Sequence, residues 1–257
     1  VRELGFHVEP GPGFAQTDDW GIERDHQWTT VAYGADDRGP SVDVYYQGIS
    51  PSLPSTGTRD AVTVNGAPGT YIEHVRKDEW GAHVAWEYAP DSWAVVSERG
   101  DSAPPPGLRT KLVTVAEAVR SGGKTLRVPI RVGTMPASLP PVATADTVNV
   151  QYFDGDWSWW LEFNGEIHLW ATSQTGMDCQ GYDASPYTES FSYRGHPGCL
   201  VDGERIGLRL GTANVFIDFV DATPKPPIDD MKQALADLTL ASYDQTTWFD
   251  LKTALGG

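Results

Sequence analysis

The residues of this chain with the greatest chemical potential are aromatic. Ten tryptophans occur in 257 residues, and Trp157, Trp159 and Trp160 crowd one apolar run. An indole offers a flat apolar face and a single N–H donor. It therefore suits either a core or a platform on which a sugar ring or another flat apolar ligand stacks. On a strand, Trp157 and Trp159 point to one face and Trp160 to the other, so some indole surface should stand near solvent unless layers cover both faces. These three are the candidate ligand-binding residues.

The cysteines Cys179 and Cys199 are separated by 20 positions in a stretch rich in Gly, Asp, Ser and Pro. A disulfide closing that loop would contribute about 3 kcal/mol in the chain-entropy model and would need an oxidising compartment. The other reading is two unrelated core thiols.

The remaining motifs lack the context that their chemistry needs. Gly123-Lys124-Thr125 has the ending of a phosphate-binding loop, but Ala118 stands where that motif requires its first glycine. Gly100-Asp101-Ser102 resembles a protease nucleophile loop. It is followed by Ala103-Pro104, and proline has no N–H for an oxyanion. No Gly-x-Ser-x-Gly elbow occurs. The six histidines show neither His-x-x-x-His nor zinc-type spacing with cysteine, although His74 and His83 could face each other across a hairpin as ordinary surface residues. Asp154, Asp156, Asp178 and Asp183 carry oxygen ligands without the spacing of a calcium loop and read as turn residues. No catalytic residue, metal site or cofactor is expected. An enzyme whose carboxylates come from distant parts of the chain is the rival class.

The elements that must position these residues are mostly strands. Alternating runs cover Trp28–Tyr33, Ser41–Tyr46, Tyr71–Arg76, Ala82–Tyr88 and Ser92–Val96, then Thr147–Phe153, Ser158–Phe163, Ile167–Thr172, Tyr187–Tyr193, Arg205–Leu210 and Val215–Val220. Asn164-Gly165 and Asp202-Gly203 are tight-turn signals. Two stretches have helical period instead: Leu108, Leu112, Val115, Ala116 and Val119, followed by Gly122, and Ile228, Met231, Leu235 and Leu238, preceded by Pro226-Pro227. Each stripe needs a sheet face to cover it.

The two stripes sit in matching contexts. Asn65-Gly66-Ala67-Pro68-Gly69 precedes a hairpin and the first stripe, while Arg194-Gly195-His196-Pro197-Gly198 precedes a hairpin and the second. An internal duplication explains the match. The halves should meet in the Pro-rich segment 133–145, giving a first β-rich repeat over 1–132 with a helix near 108–120 and a second over 133–257 with a helix near 228–241. The expected fold class is α+β: two similar antiparallel sheet units, each closed by one amphipathic helix, packed into one compact body.

Val62-Thr-Val-Asn-Gly, Val84-Ala-Trp-Glu, the strand around Trp93 and Val115-Ala-Glu-Ala-Val resemble a domain of unknown function from the extracytoplasmic parts of membrane-anchored bacterial proteins, especially of high-GC Gram-positive organisms. That domain is distantly similar to lipoprotein carriers. The resemblance covers residues 62–120, is degenerate in the second half, where Leu208 or Leu210 replaces the middle-strand tryptophan, and supplies no catalytic residue. It implies a secreted or surface-held, non-enzymatic module, with any membrane anchor outside this chain.

The formal charge of −16, from 35 acidic and 19 basic residues, repels phosphate backbones and makes nucleic acid a poor partner. The expected function is a non-catalytic extracytoplasmic binding or sensory module for a small molecule, glycan, peptide or lipid. A carrier of a hydrophobic ligand and a hydrolase are the alternatives.

Overall fold

The computed structural model describes residues 4–34, 39–77, 79–101, 103–153, 155–174, 188–219, 222–242 and 244–256. The chain divides into two compact units, Leu4–Lys124 and Thr125–Gly257.

The first unit runs β1 (Leu4–Val8), β2 (Phe14–Ile22), β3 (His26–Tyr33), β4 (Ser41–Tyr45), β5 (Thr58–Val64), β6 (Ala67–Arg76), β7 (Glu79–Ala89), β8 (Ser92–Asp101), α1 (Leu108–Glu117) and β9 (Val119–Lys124). Its seven large strands lie in the order β2-β3-β4-β8-β7-β6-β5, all antiparallel, and β1 pairs separately with β9. Alternation gives the sheet two faces. One carries Val31, Val42, Val84, Trp86 and Val96, all buried, and α1 lays Leu108, Leu112 and Val115 against it, packing over β5, β7 and β8. An ion pair of 2.7 Å from Lys111 to Glu98 fixes the helix to β8, and the Lys111 ammonium sits 4.9 Å from the Tyr33 ring centre.

The second unit runs β10 (Arg127–Val128), β11 (Ile130–Arg131), β12 (Thr147–Phe153), β13 (Asp156–Phe163), β14 (Ile167–Thr172), β15 (Thr188–Tyr193), β16 (His196–Val201), β17 (Arg205–Leu210), β18 (Ala213–Asp218), α2 (Ile228–Ala236), β19 (Thr239–Leu240), β20 (Phe249–Asp250) and α3 (Leu251–Ala254). The large strands take the order β12-β13-β14-β18-β17-β16-β15, the same permutation as in the first unit. β11 pairs with β19 and β10 with β20. Met231, Ala234 and Leu235 of α2 are buried over β17 and β18.

The α+β expectation is overturned. The chain is mostly β, 54% strand against 13% helical, and it is not a pair of sheets each closed by a helix. The three α-helices among the described residues have ten, nine and four residues, too little surface to cap seven strands. The first apolar stripe extends past its helix because Val119 opens β9 rather than ending α1. The second does the same at Leu238, which lies buried beyond Ala236.

The two Gly-Pro turns reach matching structure. Asn65 and Gly66 have φ of 49° and 85°, and Arg194 and Gly195 have 51° and 81°, the left-handed pair that a two-residue hairpin needs. Beyond each turn a glycine lies under the next strand. Gly69 pairs with Trp86, and Gly198 pairs with Leu208, so Leu208 holds the place of the middle-strand tryptophan.

Candidate functional site

β13 alternates half-buried and buried along its whole length. Trp157 and Trp159, at 3% and 0% exposure, lie on the core side. Cross-strand pairs carry the Trp159 row through Ala171, Val215 and Leu208 to Gly198 and Phe191. Lys232 of α2 sits 4.6 Å from the Phe191 ring centre, which puts the helix on that face. Two of the three candidate tryptophans are therefore core, and the Trp159 Nε1 is buried without a hydrogen-bond partner.

Trp160 points the other way and is half-buried. Its ring stacks on Trp170 at 5.9 Å between centres and 20° between planes, and Trp170 stacks on Phe216 at 4.2 Å. His168 lies tilted beside Trp160 at 5.4 Å, with its Nε2 3.8 Å from Glu162. Trp170 Nε1 donates to Asp218 at 2.9 Å. Arg205 Nε also donates to that carboxylate, and its guanidinium sits 5.7 Å from the centre of the Trp170 ring. Trp170 and Phe216 are themselves buried, at 4% and 1%, so the ladder is open to solvent at Trp160. The arrangement is a single indole held rigidly by the ring beside it, with an imidazole and a carboxylate close by.

Register supplies a residue that sequence reasoning passed over. Counting across the second unit from the residue four before its Arg194 turn gives Ser190, Cys199, Gly207, Phe216, Trp170 and Trp160. The same count from the Asn65 turn gives Ala61, Thr70, Ala85, Val95, Asp43 and Trp28. Trp28 is thus the counterpart of Trp160. It too is half-buried, and it donates through Nε1 to Glu23 at 3.2 Å. Its neighbour Asp43 has its pKa raised, chiefly by burial, which outweighs the attraction of His26. The His26 ring stacks on Tyr45 at 5.2 Å, and burial first, then Asp43, pushes the Tyr45 hydroxyl up to about 12. Only the pairing of strands far apart in sequence reveals this equivalence.

Other expectations land as follows. His74 and His83 do meet, with their rings stacked at 5.6 Å and 12°. Cys199 is buried in β16 and is disulfide-bonded, with no free cysteine among the described residues, while Cys179 lies outside the described residues. Asp154, Asp178 and Asp183 also lie outside them. Among the described residues there is no group of three or more His, Cys, Asp or Glu side chains that could hold a metal ion, and no helix is long and apolar enough to cross a membrane. Neither a family model nor a curated protein matches the chain.

Proposed function

We propose that this chain is a non-catalytic extracytoplasmic binding module that takes flat ring faces, such as those of a glycan, on Trp160. The observation that carries the reading is the half-buried Trp160 ring, stacked on a buried tryptophan and flanked by His168 and Glu162. A ring already ordered by packing loses little freedom when a ligand lies on it, and the imidazole and carboxylate can hydrogen-bond to sugar hydroxyls. The counterpart position at Trp28 and the resemblance of 62–120 to an extracytoplasmic domain support the same reading. A Cys179–Cys199 bond in an oxidising compartment belongs to it as well.

The rival classes find less support. A carrier needs an enclosed apolar volume, whereas the apolar-lined cavity beside Trp86 and Tyr88 holds about 190 Å3, short of the roughly 300 Å3 where ligand pockets begin. Two carboxylates, Glu79 and Asp101, face each other across β7 and β8, but both are exposed, so nothing there excludes water from a reacting group.

The test is intrinsic tryptophan fluorescence titrated with a glycan panel, with soluble peptides and phospholipid vesicles as the other arms. Saturable quenching by glycans that Trp160→Ala abolishes, while the melting temperature stays near that of the parent, is the expected result. Quenching that survives Trp160→Ala, or that only peptides or vesicles produce, overturns the ring-binding reading.

A further inference from the structure

A separate cleft in the first unit, of about 810 Å3, opens on the sheet face away from α1. Six titratable side chains, His74, Arg76, Glu79, His83, Arg99 and Asp101, line it, and Leu53 and Pro54 form an apolar wall. Alternation along β6, β7 and β8 puts all six polar residues on one side. Register then arranges them in rows: His74 opposite Gly81 opposite Arg99, and, one step outward, Arg76 opposite Glu79 opposite Asp101. Gly81 leaves the middle of the first row empty, and the His74 ring folds over it. A Cβ placed there would come within 2.4 Å of His74 Cε1.

The donors in this cleft have little to hold. His74 Nδ1 is buried with no hydrogen-bond partner, a costly state for a polar atom. No ion pair joins Arg76 or Arg99 to a described residue, in a chain whose net charge is −16. Arg59, on the neighbouring strand, is committed to the Pro54 carbonyl and so holds the wall in place. Burial, and then repulsion from His74, push His83 down to about 4, so near neutral pH its ring is an uncharged imidazole. Asp101 has a partner of its own, and Glu79 stands at the rim rather than beside the imidazoles.

We propose that this cleft binds a small oxyanion, a carboxylate or phosphate group, held between Arg99 and the His74–His83 pair with Arg76 closing over it. The guanidinium forks supply paired N–H donors, and charge-assisted hydrogen bonds to an oxyanion are the strong ones. The orphaned His74 nitrogen gains a partner. Rim carboxylates at Glu79 and Asp101 disfavour a highly charged ligand, and the Leu53–Pro54 wall accommodates a short apolar tail. This inference does not depend on the ring-binding role of Trp160.

The experiment is an NMR titration of the histidine Cε1–H resonances with sodium acetate and with inorganic phosphate, against sodium chloride at matched ionic strength. Saturable shifts at His74 and His83, with the titration midpoint of His83 raised because a bound anion favours the imidazolium, are expected from at least one of the two anions. Which anion saturates identifies the headgroup. Arg99→Gln should weaken that binding about tenfold or more, the scale of one lost charge-assisted contact. Because Arg99 is exposed, the near-UV circular dichroism of the variant should match the parent. Shifts that grow without saturating, that chloride reproduces, or that appear equally at His7 and His196 overturn the proposal. So does an Arg99→Gln variant that binds as tightly as the parent.

Discussion

Truncating Trp159 and Trp160 separately pits core against surface on adjacent residues of one strand. Trp159 is fully buried, and removing a buried aromatic side chain costs about 3–5 kcal/mol. Its Nε1 has no partner, so truncation also removes an unsatisfied donor whose burial costs about 1–3 kcal/mol. The net loss for Trp159→Ala should therefore fall toward the low end, near 3 kcal/mol. Trp160 is half-buried, and its contacts are the stacks on Trp170 and His168. At about 0.5–1.5 kcal/mol for the stacked indole pair and less for the tilted imidazole, Trp160→Ala should cost only about 1–2 kcal/mol. Trp159→Phe keeps most of the ring and deletes the orphaned N–H, so it should stay within about 1 kcal/mol of the parent. Urea denaturation followed by far-UV circular dichroism, with one slope for all three variants, measures these differences. If Trp160→Ala proved as costly as Trp159→Ala, the outer indole would be core and the ring-binding argument would fail.

Three further expectations follow from named contacts. A Cβ on Gly198 would lie 2.5 Å from the Gly207 carbonyl oxygen and 2.6 Å from Leu208 Cδ2, whereas one on Gly69 would meet its nearest atom, the Ala85 oxygen, at 3.0 Å. Gly198→Ala should thus cost about 2–3 kcal/mol and Gly69→Ala clearly less, and a reversed order in thermal melts would count against the matched packing. Because the folded-state pKa of His83 lies below its unfolded value, the unfolded chain binds more protons as pH falls from about 6.5 toward 4, and this residue's contribution to stability is lost over that window. The loss should be about 1–2 kcal/mol after discounting for solvent screening. It should appear as a steeper acid-side decline in the parent than in His83→Gln, and parallel curves would refute it. Finally, thiol titration of the denatured, unreduced protein should find no free thiol, and two reactive thiols would remove the case for an oxidising compartment.

What could be read from the sequence was local. The turn pairs Asn65-Gly66, Asn164-Gly165 and Asp202-Gly203 all adopt positive φ, because few residues tolerate the left-handed region and those that do mark themselves. The alternation of β13 was equally visible, since a period of two survives whatever the strand pairs with. Two kinds of element were hidden. The β16 strand begins His196-Pro197-Gly198 and β9 contains Gly122-Gly123. Their residues score as turn formers, and only pairing with distant strands makes them extended. The second kind is relational. β1 meets β9 across more than a hundred residues, and the equivalence of Trp28 with Trp160 needs five successive strand pairings, none of which leaves a mark in composition or spacing. The split of the three candidate tryptophans into two faces was readable, but which face α2 covers was not.

The repetition of one strand order carries a hazard for the newly made chain. Two segments that prescribe the same antiparallel permutation can exchange partners while folding, because a strand of one unit fits the backbone geometry expected by its twin, and such misassembly is the characteristic failure of repeated units. Divergence of the side chains is then a safeguard. Asp43 stands where its twin has Trp170, and Trp86 where its twin has Leu208, so a swapped strand would bury a carboxylate in an aromatic stack or force an indole into a space shaped for leucine. The scarcity of sequence symmetry between two units of one strand order is what lets each strand recognise its own neighbours.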